Sequence, residues 1–164
     1  MHKWTWEINV KLIKTNAFSD SDKVNKMANT TVKDIMQKDV KTAENNTVLK
    51  DVIALMTKND KDAVLVIQSG KPTGIITARD LIVRAMEAEV PIKTIIARMV
   101  YTNPLVVIDQ GATLKEAAEL MKHWNIKHLP AVDKNGALVG MVDATQIVFA
   151  DPKLMPTLSY ICRK

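Results

Sequence analysis

One cysteine, Cys162, is all the thiol chemistry this 164-residue chain carries. A single cysteine excludes an internal disulfide framework and fits a reducing, cytoplasmic setting. Aromatic residues are nearly as scarce, at 4%, so the core must be aliphatic. No apolar run approaches the ~20 residues of a membrane span, and the N-terminus lacks the apolar centre of a signal peptide. A cytoplasmic protein without a membrane segment is expected. Charge of one sign is also missing where it would matter. The net charge of +5 and the pI near 9.3 look suited to nucleic acid, yet residues 32–151 carry 15 basic and 15 acidic side chains. The excess sits in residues 1–31 and 152–164, so composition argues against a nucleic-acid face on the body of the protein.

What the chain does have is one pattern, written twice. Leu49-Lys50-Asp51-Val52-Ile53-Ala54-Leu55-Met56 returns 65 positions later as Leu114-Lys115-Glu116-Ala117-Ala118-Glu119-Leu120-Met121. Gly70-Lys71-Pro72-Thr73-Gly74-Ile75-Ile76 returns 66 positions later as Gly136-Ala137-Leu138-Val139-Gly140-Met141-Val142. Val32-Lys33-Asp34-Ile35-Met36 is echoed more loosely in Ile95-Ile96-Ala97-Arg98-Met99. A repeat with this internal order means two similar units and two related clefts.

Hydrophobic periodicity sets the elements of each unit. Val32, Ile35 and Met36 share a helical face behind Thr30 or Thr31 as N-cap. Val40 to Ala43 reads as extended, and Val48, Val52, Leu55 and Met56 as a helix stripe capped by Asn46 or Thr47. Ala63 to Ile67 is a buried strand that turns at Ser69-Gly70 into Gly74-Ile75-Ile76, and Ala78, Leu81, Ile82 and Ala85 continue as a helix. The second copy follows suit. Pro104 to Ile108 is extended, Asp109-Gln110-Gly111 turns, and Leu114 to Met121 is helical. Leu129 to Val132 and Leu138 to Val142 form a hairpin around Asp133 to Gly136, with a helix from Asp143. The fold class is α+β (mixed α/β), two β-α-β-β-α units whose apolar sheet faces are expected to pack together. The boundaries drawn are 1–29, an N-terminal extension; 30–90 and 91–151, the two repeats; and 152–164, a basic tail. In the extension, Trp4, Trp6, Ile8, Val10 and Leu12 alternate with polar residues as a half-buried strand does. It docks on the body, pairs with a second chain, or falls outside the working protein, for which Met27 offers another start.

Chemistry enters at Gly74-Ile75-Ile76-Thr77-Ala78-Arg79-Asp80. A strand ends, a hydroxyl follows, and a carboxylate sits three residues on in the first turn of a helix. Thr77 is a natural N-cap beside unpaired backbone N–H groups that favour an anion. Asp80 can accept hydrogen bonds from vicinal hydroxyls such as those of ribose. The bland alternative is a capping box with Asp80 in the place of Glu or Gln.

With the repeat, the chain resembles the cystathionine-β-synthase (CBS) domain family in its tandem arrangement, the Bateman module, over about residues 32–150. The motifs that carry the resemblance are Val32-Lys33-Asp34-Ile35-Met36, Ile126-Lys127-His128-Leu129-Pro130-Ala131-Val132-Asp133, and the closing Gly-x-x-Thr-x-x-Asp. The resemblance implies CBS repeats related by a pseudo-twofold axis, forming a non-catalytic regulatory module that binds an adenosine-containing ligand between them. It implies that Thr77 and Asp80 hold phosphate and ribose, facing Thr102, Asn103, Pro104, Leu105 and Val106 together with Lys127, His128, Leu129 and Pro130. Ile75 would line the floor, and Arg79, Lys127 and His128 are the cations placed for phosphate. In the symmetry-related cleft Asp143 and Gln146 replace the threonine and the aspartate, against Lys41, Thr42, Ala43, Asp62, Ala63 and Val64. Asp143 would repel a phosphate there, so this second cleft is weaker. AMP, ADP or ATP is the expected regulatory ligand, with S-adenosylmethionine ranked below them.

His123 and His128 have no further partner at ligand spacing and His2 is remote, so no metal site is expected. Cys162 lacks a base and an orienting carboxylate, and no acidic pair is set up for acid–base work. No catalysis and no bound cofactor are expected. The family commonly forms flat homodimers, for which helices around Leu81-Ile82 and Ile147-Val148 are candidate surfaces. No enzyme or transporter segment is attached in this sequence, so an unidentified effector protein is expected to act in trans. The alternative from another class is a dimeric structural adaptor whose clefts are vestigial.

Overall fold

The computed structural model describes residues 11–12, 30–87 and 90–162. Of the N-terminal strand expected over Trp4 to Leu12, only Lys11–Leu12 falls within them; the rest lies outside the described residues. The chain runs through β1 (Lys11–Leu12), α1 (Val32–Ile35), β2 (Thr42–Glu44), α2 (Leu49–Asn59), β3 (Ala63–Gln68), β4 (Lys71–Thr77) and α3 (Ala78–Glu87). A 3-10 turn at Ile92–Thr94 leads into α4 (Ala97–Val100), β5 (Val106–Asp109), α5 (Leu114–Trp124), β6 (His128–Val132), β7 (Leu138–Asp143) and α6 (Ala144–Ala150). A second 3-10 turn, Pro152–Leu154, precedes α7 (Met155–Cys162). The fold is mixed α+β. Among the described residues no helix is long and apolar enough to cross a membrane.

Two compact units result, and they cut the chain differently from its repeats. Among the described residues the first comprises Lys11 and residues 40–105, while the second joins Leu12 and residues 30–39 to everything from Val106 onward. In the first unit β2 lies parallel to β3, and β3 pairs antiparallel with β4. The β3–β4 turn is Ser69-Gly70, with φ of 51° and 76°, the doubly left-handed geometry that matches strand twist and that glycine tolerates without strain. In the second unit β5 lies parallel to β6 and β6 pairs antiparallel with β7, with β1 beyond β5 at the sheet edge. Asp133 shapes that hairpin by accepting the N–H groups of Asn135 and Ala137 on one carboxylate oxygen, at 2.8 and 2.9 Å.

Both cores are aliphatic. Leu49, Val52 and Met56 from α2 pack with Val64, Val66 and Ile76 from the sheet, and Ile95, Ala97 and Val100 close the first core. Leu114, Ala117, Ala118 and Met121 from α5 pack with Ile108, Leu129, Ala131 and Val142 in the second, joined by Val32, Met36, Ile147 and Leu158. The short helix ahead of each repeat therefore completes the core built by the other repeat: α4 seals the first, α1 the second.

Four local expectations need correction. Neither Asn46 nor Thr47 caps α2; the cap position is Val48, which has no side-chain oxygen to offer. The Leu49 N–H instead donates to the Ile95 carbonyl at 2.8 Å, within a bridge between Val48 and Ile96. The equivalent start of α5 has Thr113 in a full capping box with Glu116. Ile147 is fully buried in its own core, so it presents nothing to a second copy; the exposed side chains are Phe149 on α6 and Ile82 and Val83 on α3. Ala78 is also exposed and takes no part in the apolar stripe of α3. Residues 152–164, to which periodicity assigned no element, hold the second 3-10 turn and α7, with Leu158 fully buried.

Candidate functional site

In the first unit the antiparallel strand β4 delivers Thr77 to the start of α3, and one turn on the helix returns Asp80 beside it. The Thr77 N–H and hydroxyl both donate to Asp80 Oδ2, at 2.8 and 2.6 Å. The Asp80 N–H points back at Thr77 Oγ1, at a long 3.4 Å. The capping box is thus formed, and one carboxylate oxygen is committed to it. The Ala78 N–H donates to the Asp62 carbonyl at 3.0 Å. Three N–H groups at this turn, those of Thr77, Ala78 and Asp80, are therefore engaged within the protein, which narrows the anion-binding role expected of them.

The second carboxylate oxygen faces another segment. Ile75 and Thr102 form an isolated bridge with N–O distances of 3.2 and 2.8 Å, which brings the Thr102 hydroxyl within 3.1 Å of Asp80 Oδ1 as donor. Arg84, one turn further along α3, places Nε 3.5 Å from the same oxygen. Its Nη1 also donates to the carbonyls of Val100 and Tyr101, at 3.1 and 2.7 Å. Asp80 is 9% exposed, the one polar residue among the buried side chains of the described chain. A carboxylate this enclosed must be well hydrogen-bonded, and it is.

The close approach of the Thr102 segment depends on Gly74. A Cβ there would sit 1.8 Å from Cδ2 of Tyr101 and 2.8 Å from the Thr102 carbonyl oxygen. Only a residue without a side chain leaves room for that packing.

The second unit repeats the arrangement with altered chemistry. Asp143 caps α6 by accepting the Gln146 N–H at 2.8 Å, and Gln146 Oε1 accepts the Asp143 N–H at 2.9 Å. Gln146 Nε2 donates to the Ile35 carbonyl at 3.4 Å. Met141 pairs with Gln37 as Ile75 pairs with Thr102, and a Cβ on Gly140 would meet Met36 Sδ at 2.6 Å. Asp143 is thus the counterpart of Thr77, Gln146 of Asp80, and Gln37 of Thr102.

The first unit brings together Ile75, Thr77, Asp80 and Thr102; Arg79 is exposed on the first turn of α3, and Asn103, Pro104 and Leu105 follow Thr102 in the same unit. Lys41, Thr42 and Ala43 lie at β2, and Ala63 and Val64 open β3. Val106, Lys127, His128, Leu129 and Pro130 belong to the second unit with Asp143 and Gln146. There His128 pairs with Asp143 across the β6–β7 ladder, and the Lys127 carbonyl accepts the Ala144 N–H at 2.9 Å. Sequence reasoning passed over Arg84 and Gln37. Gln37 was hidden because the echo read in the sequence aligns Met36 with Met99 and so sets Gln37 against Val100, whereas the two bridges make Gln37 the counterpart of Thr102. Arg84 offered no signal, since a basic residue on a helix face reads as solvated. Among the described residues no group of three His, Cys, Asp or Glu side chains could hold a metal ion.

A family profile described as "CBS domain" matches residues 32–87 and 96–153. An uncharacterized protein of Methanopyrus kandleri is 27% identical over 139 residues, which span 84% of this chain and 71% of that one. Among solved structures, a CBS domain protein of unknown function from Thermoplasma acidophilum superposes with a TM-score of 0.75 at 20% identity, covering 82% of this chain and 77% of its own. A CBS domain pair in complex with 5′-methylthioadenosine and S-adenosyl-L-methionine superposes with a TM-score of 0.67 at 24% identity, covering 76% and 97%.

Proposed function

The chain belongs to the CBS domain family, with two repeats, and we propose that it is a non-catalytic regulatory module that senses an adenosine-containing ligand. The observation that carries this reading is Asp80, a nearly buried carboxylate that meets two hydroxyls, those of Thr77 and Thr102, from two separate segments. Vicinal hydroxyls of ribose present the same donors. On binding, a sugar hydroxyl takes the place of Thr102 at Oδ1 while Oδ2 stays with the helix cap. In this reading, which follows the family resemblance, the base contacts residues 102–106 and 127–130, and Arg79, Lys127 and His128 supply charge to phosphate. AMP, ADP and ATP fit those cations. The adenosine compounds bound by one structural neighbour make S-adenosylmethionine the next probe. The second cleft, with Asp143 in place of a hydroxyl, rejects phosphate. Ligand occupancy biases the placement of the repeats, and a separate effector protein reads the change. A second copy of the chain covers the exposed apolar side chains of α3, giving a homodimer in the cytoplasm.

Calorimetry with AMP, ATP and S-adenosylmethionine tests the site. Asp80→Ala is expected to weaken adenosine-ligand binding by more than about tenfold, the scale of losing a hydrogen bond to a charged group, whereas Asp143→Ala leaves it unchanged. Unchanged affinity in Asp80→Ala defeats the assignment. One observation favours a second reading, a dimeric adaptor with vestigial clefts: both oxygens of Asp80 already have partners within the protein. A thermal-shift panel that moves with no adenosine compound decides for the adaptor.

A further inference from the structure

We propose that Arg84 is the positioning residue of this site, setting the geometry of Asp80 and of the Thr102 segment with one side chain. The proposal rests on the ligand reading above and adds a residue that the family motif does not include. Arg84 sits four residues after Asp80, so its guanidinium lies over the same face of α3. Nε faces Asp80 Oδ1 at 3.5 Å, while Nη1 is shared between the carbonyls of Val100 and Tyr101. Those two carbonyls immediately precede Thr102, whose hydroxyl donates to the same Oδ1. Arg84 is thus the third side of a closed figure: carboxylate, hydroxyl segment, guanidinium.

The guanidinium makes this possible. It is planar and offers several donors in fixed directions, so it can face a carboxylate and a pair of carbonyls at once; a lysine ammonium is a point charge on a flexible stem. With its side chain 43% exposed, Arg84 contributes little to stability through the ion pair itself. Its consequence is for the ligand. A carboxylate held on both sides presents its remaining acceptor capacity in one direction, and a preorganised site loses less entropy when a sugar arrives. Without Arg84, Asp80 keeps its cap but Oδ1 is free to swing, and the carbonyls of Val100 and Tyr101 lose the donor that fixes where Thr102 stands.

Calorimetric titration of the full chain with AMP and with S-adenosylmethionine reads the effect, alongside thermal unfolding of each variant. Arg84→Met is expected to weaken the probe that binds by about tenfold, since small misplacements of a positioned group are amplified in function, with little change in Tm. Arg84→Lys is expected to recover part of the loss, because the charge returns without the fork. The deciding variant is Asp80→Asn combined with Arg84→Met. A residue acting through Asp80 adds little once Asp80 is altered, whereas an independent structural role gives losses that add. Wild-type affinity in Arg84→Met, or additive losses in the double variant, overturns the inference and leaves the ligand reading standing. Binding of neither probe by the wild-type protein overturns the ligand reading, and this inference falls with it.

Discussion

Glycine 74 shows how much one side chain, or its absence, decides. Alanine there would drive a methyl group into the Tyr101 ring and toward the Thr102 carbonyl oxygen. Overpacking against a ring and a fixed backbone oxygen is expected to cost roughly 1–3 kcal/mol. At Gly140 the nearest atoms belong to Met36, an adaptable thioether, although the Gln37 carbonyl oxygen lies at 2.9 Å. Chemical denaturation should therefore rank Gly74→Ala as the more damaging change, and a reversed order would mean that Tyr101 yields more easily than Met36. Legibility at this scale was uneven. Thr77 and Asp80 could be singled out because a cap motif is local, three residues end to end. The bond from Thr102 to Asp80 spans 22 positions and has no local trace; the family resemblance set Thr102 opposite Asp80 across a ligand, not in direct contact with it. Arg84 was invisible because its partners are backbone carbonyls 16 and 17 residues away, which no residue pattern records.

Helix starts carry the lesson for elements. The two long helices α2 and α5 have matching stripes, so their existence followed from periodicity. Their entries differ. Thr113 and Glu116 close a reciprocal box at α5, with bonds of 2.8 to 3.2 Å, whereas Val48 holds the same position at α2 and leaves the work to the Ile95 carbonyl. Nearby polar residues in the sequence, Asn46 and Thr47, pointed to a cap that a tertiary backbone contact had displaced. Thr113→Ala is expected to lower stability by about 1 kcal/mol, and Thr47→Ala to change it by less than about 0.5 kcal/mol, as read from denaturant midpoints. The start of α1 adds a pH dependence. Bonds from the Thr31 backbone and hydroxyl hold the Asp34 carboxyl below its usual value of 3.8. A carboxyl lowered by folding stabilises the folded state above that usual value and loses the contribution as pH falls through its folded one. The stability gap between wild type and Asp34→Asn should therefore be constant near neutrality and shrink below about pH 3.8; a gap that widens on acidification contradicts the bond pattern. The last helix, α7, had no foreshadowing, because Leu158 is its only fully buried anchor among the described side chains and one apolar residue makes no period.

Across the whole molecule, the repeats of the sequence and the compact units of the fold are different partitions. Two β-α-β-β-α repeats were readable because strands, turns and stripes recur in order. That α1 and α4 would each leave its own repeat's sheet was not readable, since an apolar turn of helix is equally at home on either core. Val32 makes the point. It belongs to the first repeat, yet its side chain is fully buried with Leu114, Met121 and Ile147 of the second, and its N–H donates to the Ala112 carbonyl. Val32→Ala should cost roughly 2 kcal/mol, and hydrogen exchange should show the lost protection in β5–β7 and α5, not in β2–β4. Loosening confined to β2–β4 would show that the units do not divide in this way.

That interleaving has a consequence during synthesis. The ribosome makes chain from the N-terminus at roughly 5–20 residues per second. Every strand and helix of the first unit has been made once Leu105 emerges. The second unit is still incomplete at that point. Val32 and Met36 are made before residues 40–105, and their core neighbours Leu114, Met121 and Ile147 only after them. While residues 40–105 are being made, the apolar side chains of α1 wait without the core they will join, and in that interval they are open to wrong company.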